Sequence, residues 1–290
     1  MFFSRKNDLE SDRYAVVIGS SSLAVFLVHL LQEKGVDVTL VADAEKNNIL
    51  NNYVIKSAFQ NQDVEIRSSK FIEKRPEFCF LASSFNEYQK DLIYLSDEIL
   101  KGVPIINFAS FYNRKLIEQL DNIEEIRAYF NGFLVKAKKE VYHLNRVSDI
   151  TICCEAEVVK ELKNLLTSKK TNVKLAKNTK KLFWQELVPY LLGNLYVLMY
   201  QSDISQILTD NNKRQKLDLM IAEVVKLLKK AKQQIDEQKI LPDIYAFPDG
   251  FSSEFDSLQG VEALSRLIDG IDYFETPELF EIISKVYKKY

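Results

Sequence analysis

The chain has 290 residues, 47% of them hydrophobic and 28% charged, the balance of an ordinary globular protein long enough for two domains with cores of their own. A net charge of −2 supplies no bulk attraction to nucleic acid or to an acidic membrane surface. No apolar run approaches the roughly 20 residues that span a bilayer, and Met1 to Arg13 is polar rather than signal-like, so a cytoplasmic protein is expected, with neither membrane nor nucleic acid as partner.

The first strong signal is Tyr14 to Asp43, YAVVIGSSSLAVFLVHLLQEKGVDVTLVAD. Ala15 to Ile18 is short and rich in β-branched residues, the pattern of a buried parallel strand, and it runs into Gly19. Val25, Leu27, Val28, Leu30 and Leu31 then recur at helical spacing as far as Gly35, which suits a helix C-cap, and Val36 to Val41 predicts a second strand. In a dinucleotide-binding turn, G-x-G-x-x-G/A, the first Gly makes the turn. The second lets pyrophosphate approach the backbone, and the third lets helix and strand pack closely. Gly19, Ser21 and Ala24 fall at those three places. Ser21 brings a Cβ and a hydroxyl to where phosphate would approach, while the hydroxyls of Ser20, Ser21 and Ser22 and the free N–H groups of the helix start offer donors to an anion. The stretch is either a cofactor cradle formed by Gly19, Ser20, Ser21, Ser22, Leu23 and Ala24, or a plain parallel α/β crossover.

From Glu45 to Arg75 short apolar patches alternate with polar turns. Phe78 to Ala82 predicts a buried strand that ends in a loop at Ser83 and Ser84. Tyr88 to Leu100 carries helical spacing, Val103 to Asn107 predicts a strand, and Arg114 to Leu120 a short helix. Phe133 to Val135, Glu140 to His143 and Ile150 to Cys154 are β-like runs that extend or edge the same sheet. Glu157 to Leu166 is an amphipathic helix and Asn172 to Leu175 a short strand. This alternation predicts a Rossmann-like, doubly wound parallel sheet, with ligands beyond the carboxyl ends of its strands. The loops after Ile18, Val41, Ala82 and Ile106 then border one crevice. Cys79, Cys153 and Cys154 fit neither a disulfide framework nor a zinc site, and no metal is expected. Neither His29 nor His143 belongs to a nucleophilic triad.

From Leu182 onward nearly everything is helical. KLFWQELVPYLLGNLYVLMYQSDISQIL is almost continuously apolar, a core helix with a kink or break at Pro189. Leu217 to Ile235 is a long amphipathic helix, Pro242 to Pro248 a connection, and Phe251 to Leu267 further helix. Pro277 opens a final one. The fold class is therefore α/β followed by all-α: a Rossmann-like domain at residues 1–178 and a helical C-terminal domain at residues 179–290. The apolar face of Leu182 to Tyr200 is covered either by its own domain or by a second subunit, which leaves a homodimer open.

Three segments of the helical half, in this order behind such a domain, carry a resemblance. They are Phe183 to Asn194, FWQELVPYLLGN; IAEVVKLLKKA with Glu223; and Phe251-Ser252-Ser253 followed by Glu262 in GVEALSRLIDG. With them the chain resembles ketopantoate reductase (2-dehydropantoate 2-reductase) along nearly its whole length. That family reduces the 2-keto group of ketopantoate with NADPH, making pantoate for pantothenate and coenzyme A. A helix of the form W-x-K-L-x-x-N-x-x-x-N supplies its catalytic Lys and a substrate-binding Asn. Trp184, Leu187 and Asn194 fall on family positions, whereas Glu186 stands at the Lys and Tyr190 at the first Asn. The resemblance implies substrate contacts from Asn194 and Ser253, a catalytic carboxylate at Glu262, and cofactor contacts from Ser83 and Asn113. NADP(H) is the family's cofactor. Here, however, Asp43 replaces the basic residue that holds the 2′-phosphate, and an Asp there accepts from a free 2′-hydroxyl and so favours NAD(H). Lys46 is the alternative phosphate contact.

Reduction of a ketone needs a proton donor and a group that stabilises the developing alkoxide. Lys does both, and Glu186 reverses its charge. Three readings stand: a divergent reductase in which Lys181 or Lys180 supplies the cation and Tyr190 the proton, a catalytically lapsed dinucleotide-binding or regulatory protein, or a reductase of another 2-keto acid.

Overall fold

Successive side chains of β1, Tyr14–Ile18, are buried on opposite faces. Ala15 and Val17 join one apolar cluster and Tyr14, Val16 and Ile18 another. Burial on both faces fixes β1 at the centre of a sheet covered on both sides. The computed structural model describes residues 13–42, 50–57, 61–83, 87–108, 124–131, 134–138, 141–144, 148–153, 158–177, 179–230 and 232–245.

Among these residues the strands are β1, β2 Asp37–Val41, β3 Leu50–Ser57, β4 Asn61–Ser69, β5 Phe78–Leu81, β6 Pro104–Asn107, β7 Glu124–Asn131, β8 Leu134–Lys138, β9 Val141–Leu144, β10 Ser148–Cys153 and β11 Thr171–Leu175. They form one sheet in the order β11-β10-β7-β6-β5-β1-β2-β4-β3-β9-β8. The run from β7 to β4 is parallel throughout. The chain leaves β1 toward β2 on one side and later returns to β5 on the other, so the switch point of the double winding lies between β1 and β5. Helix α1, Ser22–Gln32, packs on one face with α3, Val158–Leu166. On the other face lie the short helix α2, Tyr88–Asp91, and two 3-10 segments, Leu92–Ser96 and Glu98–Leu100.

The edges depart from the sequence reading. Where patches and turns were expected after Glu45, β3 and β4 pair antiparallel. Val64, Ile66 and Ser68 alternate with Glu65 and Arg67, a one-sided pattern with no long apolar run. Glu124–Asn131, with Ile126, Ala128 and Phe130 alternating, is a strand that reading lacked. The β-like runs after Phe133 do extend the sheet: β8 and β9 pair beyond β3, and β10 sits between β7 and β11, antiparallel to β7. Tyr88 to Leu100 is largely 3-10 because the spacing of Tyr88, Leu92 and Leu95 suits either period, and Asp97 in extended backbone interrupts the run.

The helical half comprises α4, Thr179–Tyr200, α5, Ile204–Thr209, α6, Asn211–Lys230, and α7, Glu237–Tyr245, around a separate core that includes Leu192, Tyr196, Ile207, Leu217, Met220 and Ile240. Helix α4 runs through Pro189, and the break falls instead at Gln201, whose φ is 49°. Helix α6 begins before Leu217 because the Asp210 carboxylate accepts from the N–H groups of Asn212 and Lys213. It stops before Ile235 because Lys232 turns left-handed, with Gln233 N–H bonded to the Leu228 carbonyl. The expected connection at Pro242 is part of α7. No helix among the described residues is long and apolar enough to cross a membrane, and no group of His, Cys, Asp and Glu among them suits a metal ion.

Candidate active site

Backbone bonds tie the carboxyl end of β1 to both of its neighbours, with Ala82 N–H after β5 donating to the Ile18 carbonyl at 2.8 Å and Gly19 N–H to the Val41 carbonyl at the end of β2 at 2.9 Å. Gly19 has a φ of 123°, and a Cβ there would lie 2.7 Å from the Ala82 carbonyl oxygen. Both conditions require Gly, by handedness and by space.

Ser21 is the N-cap of α1. Its hydroxyl accepts the Ala24 N–H at 3.1 Å and donates to the Ala82 carbonyl. The hydroxyl at the second fingerprint place therefore locks the turn to β5. Ala24 is fully buried against the sheet, as the third place demands. The N–H groups of Ser22 and Leu23 belong to the first turn of α1, where the helix itself supplies no acceptor, and that turn carries no acidic side chain. Ser83 adds a hydroxyl that is unpartnered among the described residues, its residue being 6% exposed. A buried orphan donor next to a left-handed glycine and a helix start with no acid in its first turn suits the phosphate of a ligand. One feature is less hospitable: the exposed Ser20 donates its hydroxyl to the Glu87 carboxylate.

Asn107, the last residue of β6, is fully buried and donates from Nδ2 to Glu125 at 2.7 Å; Glu125 also pairs with Arg127 at 3.3 Å. The strand register places Asn107 beside Arg127 on β7, so this polar group stands at the carboxyl end of β6. The sequence reading named Asn113, further along the chain, and not Asn107. The available signal was a single Asn closing the apolar strand Pro-Ile-Ile.

The helical half contributes α4. Gln185 clamps the start of α7, its Oε1 accepting from Asp236 N–H at 2.8 Å and its Nε2 donating to the Asp236 carbonyl at 3.4 Å. Next to it Glu186 is half-buried. Burial pushes its carboxyl up to about 7, with Asp243 of α7 and Asp149 of β10 adding to the rise and Lys174 and Lys239 opposing it. Asp149 pairs with Asn131 at the carboxyl end of β7, so Glu186 faces the same end of the sheet as the Gly19 turn. Asn194 is fully buried and donates to the Tyr190 carbonyl at 2.8 Å, while Tyr190 and Trp184 are half-buried against the helical core. Lys181 is exposed in the first turn of α4. Asp43, Lys46, Asn113, Ser253 and Glu262 lie outside the described residues.

No protein-family model matches the sequence, and no curated protein does. Solved structures do. D-Mandelate dehydrogenase, in its ternary structure with NADH and anilino(oxo)acetate, superimposes with a TM-score of 0.77 at 12% identity, over 95% of this chain and 98% of that one. The PanE/ApbA family ketopantoate reductase of Ralstonia eutropha gives 0.75 at 12% identity, over 95% and 99%. The dimeric ketopantoate reductase of Staphylococcus aureus gives 0.72 at 16%, over the same shares. The chain has the ketopantoate reductase fold. Within that fold the Gly19 turn, the Asn107 group and Glu186 converge on one end of the sheet, and no residue among them repeats the family's Lys.

Proposed function

We propose that the chain is an NAD(P)H-dependent reductase of a 2-keto acid in which Glu186 donates the proton. The observation that carries this reading is the half-buried Glu186 carboxyl, raised to about 7 by burial and two neighbouring carboxylates. Such a group is protonated in about half of the molecules near neutral pH and can serve as proton donor to an alkoxide. The Lys of the resembling family would supply the same proton together with a positive charge. The dinucleotide supplies the hydride when bound. Gly19, the α1 start at Ser22 and Leu23, and Ser83 would hold its phosphates, with Ala24 keeping α1 close to the sheet. Asp43 would meet the adenine ribose and favour NAD(H) over NADP(H), and Asn113 would support the nicotinamide end.

The substrate assignment draws on the neighbours, two of which are ketopantoate reductases and one a D-mandelate dehydrogenase holding anilino(oxo)acetate, a compound with an oxo group beside its carboxylate. Asn107 and Asn194 are amides at or near the crevice, and Ser253 and Glu262 are the further substrate contacts that the resemblance implies. Ketopantoate is the first candidate and would place the protein in pantothenate biosynthesis. Division of the chain near residue 178, and a second subunit against the helical half, belong to the same reading.

The test is NADH and NADPH oxidation with ketopantoate and with a series of other 2-keto acids. Turnover with ketopantoate is expected. Turnover only with another 2-keto acid moves the substrate and keeps the chemistry. No turnover with any of them, together with no thermal shift from either dinucleotide, sinks the reductase reading and leaves a regulatory or interaction protein of this fold.

A further inference from the structure

Ser20 is the exposed residue of the turn after β1, and its hydroxyl donates to Glu87, which precedes α2 on the other side of the β1–β5 switch point. Around it the turn is built for an anion. Its glycine is left-handed, its helix start carries no acid in the first turn, and Ser83 holds a buried hydroxyl with no partner among the described residues. A carboxylate of the chain itself therefore holds a donor that faces the same turn.

We infer that Glu87 gates this turn: its carboxylate takes the Ser20 hydroxyl from which a dinucleotide phosphate would otherwise accept, so phosphate and Glu87 compete for one donor. The inference rests on the dinucleotide reading above. Two acceptors cannot share the single hydroxyl proton of Ser20. Two anions drawn to it would also stand within a few ångströms of each other in a partly dry crevice, where repulsion exceeds its value in water. Glu87 must swing away before the phosphate settles. The Ser21 hydroxyl cannot substitute, because it is committed to Ala24 and Ala82. Glu87 thus sets the affinity for the charged part of the ligand and leaves its adenosine part untouched.

The experiment is calorimetric titration of the full-length protein and its Glu87→Gln variant with NADH, NADPH and adenosine, with thermal unfolding of both as a check on folding. Glutamine keeps the size and the bond to Ser20 while removing the charge. The dinucleotides are expected to bind Glu87→Gln about tenfold more tightly than wild type at low salt, a gain that shrinks as salt screens the repulsion. Adenosine should bind both alike. Glu87→Ala, which also frees the Ser20 hydroxyl, should show a larger gain, and Ser20→Ala should remove the difference between the two variants. Equal dinucleotide affinity for wild type and both Glu87 variants overturns the gate and leaves the dinucleotide reading standing. Failure of wild type and variants alike to bind either dinucleotide at millimolar concentration overturns that reading and the gate with it.

Discussion

The Ser21 hydroxyl is bonded to the Ala82 carbonyl, which ties the start of α1 to the end of β5, and the same oxygen caps α1 by accepting from Ala24. A glycine at this place would open the approach to the backbone but would surrender both bonds. Loss of an N-cap oxygen and of one partly buried hydrogen bond costs about 1–2 kcal/mol together. Ser21→Gly is therefore expected to lower the urea midpoint and, in the same protein, to tighten dinucleotide binding. Ser21→Ala should lose comparable stability without the gain in binding.

Gly19 and Gly35 separate two costs of a side chain at positive φ. At Gly35, φ is 73° and a Cβ meets nothing within 4 Å, so Gly35→Ala carries backbone strain alone, about 1 kcal/mol. At Gly19 the Cβ would press to 2.7 Å from the Ala82 carbonyl oxygen, adding a clash that only movement of β5 or the turn relieves. Gly19→Ala is expected to cost about 3 kcal/mol or more, read as a Tm loss well above that of Gly35→Ala. Equal losses at the two positions would show that the close approach of turn and strand carries no energy.

These contrasts also mark what the sequence discloses. Gly19, Ala24 and the apolar runs around them are local signals, and they place the turn and its two strands correctly. The use of the Ser21 hydroxyl is not local, because its partner Ala82 lies 61 residues away. Likewise β4 buries Ile66 and Ser68 with the exposed Glu65 and Arg67 between them, and nothing in a single strand names its neighbours. Glu186 was visible as a departure from a family pattern. Its raised carboxyl depends first on burial and then on Asp243 and Asp149, all of which only the fold supplies.

Lys170 is 4% exposed, with Nζ 2.7 Å from His29 Nε2 and 3.2 Å from the Glu33 carboxylate. The group joins the last turn of α1 to the residue before β11. Removing the carboxylate with Glu33→Gln takes a countercharge from a buried ammonium, whereas Lys170→Met removes the buried charge and leaves Glu33 at 29% side-chain exposure with access to water. Glu33→Gln is expected to be the more damaging, by about 2 kcal/mol. The double variant should recover part of that loss in urea unfolding. Additive losses would mean that the two charges do not interact.

Asp43 follows β2 by two residues and lies outside the described segments. A carboxylate beside the adenine ribose accepts from a free 2′-hydroxyl and repels a 2′-phosphate. Asp43→Arg is therefore expected to move the ratio of kcat/KM for NADPH over NADH upward by about tenfold or more. An unchanged ratio would show that Asp43 does not face the ribose, and Lys46 becomes the residue to vary.

Glu186 makes opposite demands on stability and catalysis. Its carboxyl is raised from 4.5 in an open chain to about 7 in the fold, so the folded protein holds the proton more tightly. Its favourable contribution is complete below pH 4.5 and is lost as pH rises through about 7. The full difference corresponds to about 3 kcal/mol, less what solvent screening removes from a half-buried group. Glu186→Gln cannot ionise. It should match wild type in stability at pH 4 and exceed it at pH 8, with a higher Tm only at the higher pH. In the proposed reaction this carboxyl gives the proton, so kcat for keto acid reduction by wild type is expected to fall above pH 7. Glu186→Gln should lose rate at every pH and lose that dependence. A stabilised variant with an unaltered pH profile would leave the carboxyl buried and titrating, but would take it out of the reaction.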